Sequence, residues 1–135
     1  MTDPLHLTDR ELDVMSVLWR RGSGTVTEVR EALDDPVGYT GVLKLLQILE
    51  EKGAVRHEQE GRAYRYFPVV RRDEVGRHVL GRIVDRIFQG SAELAMARLV
   101  SDRTLDAEAV ERLKALLDEA ARRDSAERSG RGGRP

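Results

Sequence analysis

Apolar residues recur at helical spacing in three short stretches before Gly53, and the period then changes to two on either side of Gly61. From about residue 74 a helical pattern returns and runs to about residue 120. These three observations predict a mainly α fold with a small β-hairpin and a helical segment behind it. At 135 residues the chain suffices for one ordinary core, or for a small domain with an appendage.

Thr8-Asp9-Arg10-Glu11 reads as a capping box, in which the threonine hydroxyl and the glutamate carboxylate each satisfy the other's amide. Leu12, Met15, Leu18 and Trp19 follow on one face, and Gly22 stops the run, so a helix is expected over about 9–21. Thr25-Val26-Thr27-Glu28 repeats the signature ahead of Val29, Ala32 and Leu33. Asp34-Asp35-Pro36 ends this second helix, about 26–34, because the residue before proline is pushed out of helical geometry. A third helix is expected from about Thr40 to Lys52, with Val42, Leu45, Leu46 and Leu49 toward the core. Thr40 is placed to cap it or to meet a phosphate, and Gly41, Lys44 and Gln47 lie on other sides. Leu43 and Ile48 make this helix apolar over more of its circumference than a solvated helix needs, which suits a second interface or an apolar surface such as thymine methyls.

Beyond Gly53, Val55, His57 and Gln59 alternate with Arg56, Glu58 and Glu60, and Ala63 to Phe67 follow before Pro68. This is a two-stranded hairpin with Glu60-Gly61-Arg62 at its tip. Trp19 and Tyr66 read as core residues. His57 on its strand and His78 on a helix face read as structural or solvated.

In the second half, Val75, Val79, Leu80, Ile83, Val84, Ile87 and Phe88 form a stripe along about 74–89, broken by Gly90. A shorter helix carries Leu94, Ala95, Leu99 and Val100, and Asp106 caps another carrying Val110, Leu113, Leu116, Leu117 and Ala120. Stripes this wide, with no sheet to cover them, are most simply buried against a second copy of the chain. An intramolecular three-helix bundle is the alternative. From Arg123 the chain turns to Ser, Arg and Gly, and residues 123–135 are expected to be a disordered tail.

Composition removes several function classes. With no cysteine, disulfides, zinc-thiolate sites and thiol sensing are excluded, and the three histidines lie too far apart for a metal pair on one helix. No cofactor is expected. No apolar run reaches membrane-spanning length and the N-terminus carries no signal core, so a cytoplasmic location is expected. Gly76 to Gly81 has the spacing of a phosphate loop, but Arg82 follows it and no strand precedes it, so catalysis is not expected. The net charge of −1 is neutral evidence on nucleic acid, since binding depends on a local basic surface; residues 39–65 hold five bases against four acids.

Three short helices followed at once by a hairpin with a basic tip is the order of a winged helix-turn-helix, expected over 1–70, with a helical dimerisation domain over 71–122. In that architecture the third helix presents its outer face to the major groove and the hairpin tip reaches the flanking backbone or minor groove. The candidate DNA-binding residues are Tyr39, Thr40, Gly41, Leu43, Lys44, Gln47, Arg62 and Arg65. Gln47 suits adenine readout, and the chain has no asparagine to compete for that role. The candidate dimerisation residues are Leu80, Ile83, Val84, Ile87, Leu113, Leu116 and Leu117. A winged-helix protein-interaction module without DNA binding stays open on these residues alone.

Over about residues 5–120 the chain resembles the penicillinase-repressor family, the BlaI/MecI/CopY type. The resemblance rests on Leu7-Thr8-Asp9-Arg10-Glu11-Leu12-Asp13-Val14-Met15 with Leu18-Trp19, on Thr25-Val26-Thr27-Glu28-Val29, and on Tyr39-Thr40-Gly41-Val42 with Leu46-Gln47 and Leu49. It continues through Glu51-Lys52-Gly53 and Glu60-Gly61-Arg62-Ala63-Tyr64-Arg65-Tyr66. It implies a homodimeric transcriptional repressor on a palindromic double-stranded operator, with helix 40–52 as recognition helix and residues 60–65 as wing. Relatives often carry Thr or Ser at the positions of Gly41 and Lys44, and a basic residue at that of Ile48, so a non-standard operator is expected. The best-known relatives are cleaved by a regulatory protease at an Asn-Phe bond; the aligned pair here is Arg98-Leu99, which does not carry over that cleavage. Copper-sensing relatives use a C-terminal cysteine motif, and this chain has none.

Overall fold

In the computed structural model, which describes residues 3–132, Thr8 and Thr25 open the first two helices by the same device. These are α1, Asp9–Arg21, and α2, Val26–Ala32. Each threonine hydroxyl accepts the amide of Glu11 or Glu28 at 3.2 Å, and each glutamate accepts the threonine amide, at 2.8 and 3.3 Å. Each cap contributes on the order of 1 kcal/mol. Helix α3, Tyr39–Glu51, starts differently: Gly38 holds the cap position and no side chain caps it, so Thr40 does not do the capping its position suggested.

Strands β2, Val55–Glu60, and β3, Ala63–Pro68, form the expected hairpin, with Glu60 opposite Ala63 at the tip and Val55 opposite Pro68 at the base. Gly61 turns the tip at φ 63°, a backbone region that side chains disfavour. The sheet has a third strand that the sequence reading did not contain. Gly24–Thr25, β1, pairs antiparallel with Tyr66 and Arg65, giving the order β1-β3-β2. Two residues are too few to show a period, so only the fold reveals this pairing.

The core gathers Val14, Met15 and Leu18 of α1, Val29 of α2, and Val42, Leu46 and Leu49 of α3, all fully buried, under Val55 and Tyr66 of the sheet. Leu45, expected in this set, is only half-buried at its edge. Trp19 packs on the cluster and its indole Nε1 donates to the Val70 carbonyl at 2.9 Å. Glu11 is the one buried charged side chain among the described residues. Lys52 meets it at 2.6 Å and also donates to the His6 carbonyl at 3.1 Å, tying the start of α1 to the end of α3.

Helix α4, Arg72–Ile87, belongs with this unit, which corrects the boundary expected at 70/71. Val75 is 1% exposed in the same core and Val79 packs against it, so the first half of α4 docks on the head. The first compact unit therefore runs to Gly90 and a second begins at Ser91. The second unit holds α5, Ala92–Asp102, and α6, Ala107–Gly132. Asp106 accepts the Ala109 amide at 2.7 Å, as its sequence position predicts. Residues 123–132, expected to lack order, continue α6. Pairs such as Asp124–Arg128 at 3.1 Å support helix there, each by a few tenths of a kcal/mol. Residues 133–135 of the expected tail lie outside the described residues. Among the described residues no helix is long and apolar enough to cross a membrane.

Burial pushes the Glu11 carboxyl up, but the Lys52 ammonium and the Thr8 hydrogen bonds outweigh it and hold the group below its ordinary value of 4.5. A carboxyl held low in the fold contributes stability that is complete above its unfolded value and is lost as pH falls through the folded one. Stability should therefore fall from about pH 5 downward, and Glu11→Gln should flatten that limb while lowering stability at neutral pH. Thermal melts of both proteins across this range check the expectation, and parallel curves would contradict it.

Candidate nucleic-acid interface

Burial of Val42, Leu46 and Leu49 turns the opposite side of α3 outward. Tyr39, Thr40, Gly41, Lys44 and Gln47 are all exposed there, and Lys44 has no carboxylate partner among the described residues. Leu43 and Ile48 are half-buried, and Leu43 packs against the core, so part of the surplus apolar surface is already used by the fold. A Cβ on Gly41 would lie 2.9 Å from Cγ1 of Val37. Val37 thus fills the space that a side chain at 41 would need.

At the wing the two arginines separate. Arg62 is exposed beside Gly61 at the tip, with no ion-pair partner among the described residues. Arg65 is different: its guanidinium is engaged within the fold. Its guanidinium reaches Glu60 at 3.0 Å and both oxygens of Glu28, at 2.9 and 3.2 Å, and donates to the Ser23 hydroxyl at 3.2 Å. Glu60 and Glu28 together push its pKa upward, so the group stays charged. In return, the Arg65 hydrogen bonds, with the Thr25 amide, hold the Glu28 carboxyl below its ordinary value. Arg65 is a strut between wing and helix-turn-helix.

Between α3 and the wing runs a groove of about 370 Å³. Tyr39, Leu43, Gln47 and Glu50 border it from the helix, one stripe at spacings of four, four and three; His57, Arg62, Ala63 and Tyr64 border it from the hairpin. His57 Nδ1 lies 2.6 Å from Glu50 Oε2, and its ring sits 4.6 Å from that of Tyr64. Beneath them burial, with the nearby charge of Glu50, pushes the Tyr66 hydroxyl up. Sequence reading did not select Glu50, His57 or Tyr64. The stripe that contains Glu50 was available, but its facing partner was not.

Along α4, Leu80 and Ile87 are 58% and 68% exposed, Ile83 is also exposed and Val84 is half-buried. In the second unit Leu113, Leu116 and Leu117 of α6 are exposed as well. Among the described residues no cluster of three or more His, Asp or Glu could hold a metal ion.

The penicillinase-repressor family model matches residues 7–119, which span α1 through most of α6. The chain belongs to the penicillinase-repressor family. It is similar to the transcriptional regulator BlaI of Mycobacterium tuberculosis, with 38% identity over 138 residues, covering 96% of this chain and 91% of that one. The penicillinase repressor of Bacillus licheniformis is 25% identical over 116 residues, covering 84% of this chain and 91% of that one. The solution structure of the DNA-binding domain of the repressor BlaI shares 30% identity, covering 55% of this chain and 93% of that one, at a TM-score of 0.49. The element order α1, α2, α3 and then the β2–β3 hairpin is that of a winged helix-turn-helix, in which α2 and α3 form the helix-turn-helix and the hairpin the wing.

If Arg65 is the strut, Arg65→Ala should speed hydrogen exchange of the β3 amides while leaving those of the α1 core protected. Unchanged protection in β3 would contradict this role.

Proposed function

We propose that this chain is a DNA-binding transcriptional repressor that acts as a homodimer on a palindromic operator. Helix α3 enters the major groove and the wing tip meets the flanking backbone or minor groove. One observation carries the reading most directly. In a penicillinase-repressor chain, Tyr39 and Gln47 stand across one groove from Arg62, which has no ion-pair partner among the described residues, and Thr40 and Lys44 are exposed beside them on α3. Thr40, in the first turn of α3, suits a phosphate. Lys44 donates to guanine or to a phosphate, and Gln47 presents the paired donor and acceptor that adenine needs. Tyr39 and the exposed edge of Leu43 complete the contact surface.

The dimer is proposed to form through α4 and the second unit. Leu80, Ile83, Val84 and Ile87, with Leu113, Leu116 and Leu117, are the stripes it would bury, and a two-fold arrangement lets the same surface serve both partners. Two-fold symmetry then requires an operator with two related half-sites. Because Gly41, Lys44 and Ile48 depart from the family pattern, the half-site is proposed to differ from the usual one. Arg98-Leu99 lies exposed on α5, so any protease acting there needs a specificity other than Asn-Phe.

Fluorescence anisotropy with the DNA upstream of the chain's own gene, across a salt range, tests the reading. Steeply salt-dependent, sequence-specific binding is expected. No binding at low salt by an intact dimer would point instead to a protein-interaction module. Arg62→Ala should weaken binding to all duplexes and lower the salt slope by about one, whereas Gln47→Ala should relax preference at one operator position. Equal, sequence-independent losses for both would remove base reading from Gln47. Light scattering at micromolar concentration should give a dimer mass that Leu116→Glu shifts to monomer, and a monomeric parent chain would overturn the dimer.

A further inference from the structure

We propose that the groove between α3 and the wing is the seat of one phosphodiester strand, and that His57 contributes to it as a proton-dependent donor. The inference deepens the DNA-binding reading and rests on it. In duplex DNA a single sugar-phosphate strand separates the major groove from the neighbouring minor groove. A protein with α3 in one and a wing tip at the other must straddle that strand. The groove that would receive it is bordered by Tyr39, Gln47, Glu50, His57, Arg62 and Tyr64. Tyrosine, glutamine, arginine and protonated histidine side chains all donate to phosphate oxygens.

Glu50 is the exception, an acceptor-only carboxylate in a groove for an anion. His57 resolves the conflict. Its Nδ1 lies 2.6 Å from Glu50 Oε2, so the hydrogen on that nitrogen is given to the carboxylate. In the neutral ring the remaining nitrogen, Nε2, is then a bare acceptor and repels a phosphate oxygen. In the protonated ring Nε2 is a second donor and the Glu50 charge is neutralised. A phosphate arriving in the groove adds a second anion near a ring that already serves one, which favours the imidazolium.

Several titratable and charged groups face His57. From α3 it meets Glu50, from β3 Tyr64 and Tyr66, and from the tip Arg62, which shares the groove. On its own strand Arg56 and Glu58 are paired with each other at 2.8 Å. Carboxylates, tyrosines and arginines ordinarily titrate far from neutrality, whereas histidine titrates close to it. DNA binding should therefore take up a proton at His57.

The test is anisotropy titration of the full chain with a random-sequence duplex at fixed low salt, from about pH 8 to about pH 6. The parent chain should bind about three- to tenfold more tightly at the acid end, well inside the ceiling of about tenfold per pH unit that one proton sets. His57→Gln should lose the gain between the alkaline and the acid end, whatever its affinity at the alkaline end. Glu50→Gln should bind more tightly than the parent at the alkaline end, whereas a purely structural tie between Glu50 and His57 predicts weaker binding. Melting curves at both pH values establish folding, and should His57→Gln prove unstable, Glu50→Gln alone decides. A parent chain flat in pH, or a His57→Gln chain that keeps the parent's gain, would overturn the proposal. Failure to bind any duplex at any pH would instead remove the DNA-binding reading, and the groove assignment with it.

Discussion

Glu28 sits where two structural demands meet, and one carboxylate serves both. It accepts the Thr25 amide to close the cap of α2, and it takes the Arg65 guanidinium from the middle strand of the sheet. The first helix of the helix-turn-helix and the wing are thereby joined through a single side chain, with Glu60 holding Arg65 from the wing side. Thr25 also pairs with Arg65 in the β1–β3 ladder, so backbone and side chain close the same joint. A reading helix and a wing can address two neighbouring DNA grooves only if the angle between them is held. The hydrophobic core supports α3 from below, but the hairpin beyond Tyr66 extends into solvent, where ion pairs and strand pairing must set its direction.

The acidic composition also follows from these uses. A chain of net charge −1 is an unusual DNA binder by composition, and three of its 24 acidic residues are tied to partners within the first unit. Glu11 is buried against Lys52, Glu28 is shared between Thr25 and Arg65, and Glu50 is held by His57. Each such carboxylate is matched by a cation or imidazole, and for Glu11 that match is what permits burial. With these acids held elsewhere, Lys44 of α3 and Arg62 of the wing tip have no ion-pair partner among the described residues. Net charge averages over both populations and so says little about the surface that meets a phosphate.

The second unit shows the opposite balance. Its helices are capped and regular, with Ser91 and Asp106 accepting the amides of Leu94 and Ala109, yet no side chain of α5 reaches full burial. Local signals therefore specify helices whose apolar faces a single chain leaves exposed. Caps and i,i+4 ion pairs add a few tenths to about 1 kcal/mol each, enough to shape a helix but not to hide Leu116 or Leu117 from water. That imbalance is the physical basis for expecting a second copy.

The sequence by itself determined what depends on near neighbours. Both capping boxes, the ends of α1 and α3 to within a residue, the hairpin with Gly61 at its tip, and the core positions of Met15, Leu18, Leu46 and Tyr66 are written in spacings of two, three and four. The family frame was legible for the same reason, since its motifs are runs of adjacent residues. Only the tertiary structure decided what depends on residues far apart in the chain. The β1 strand has too few residues for a period, and Val75 sits at a boundary that only docking reveals. Arg65 and Arg62, three positions apart on one wing, are alike in sequence, but Glu28, 37 residues away, engages the first and not the second. His57 and Glu50 meet across a helix end and a turn that no periodicity connects. Local patterns fix which element a residue joins, because backbone hydrogen bonds and caps act over a few residues. The partner of a charged side chain is set by the packing of whole elements, and so appears only once the chain has folded.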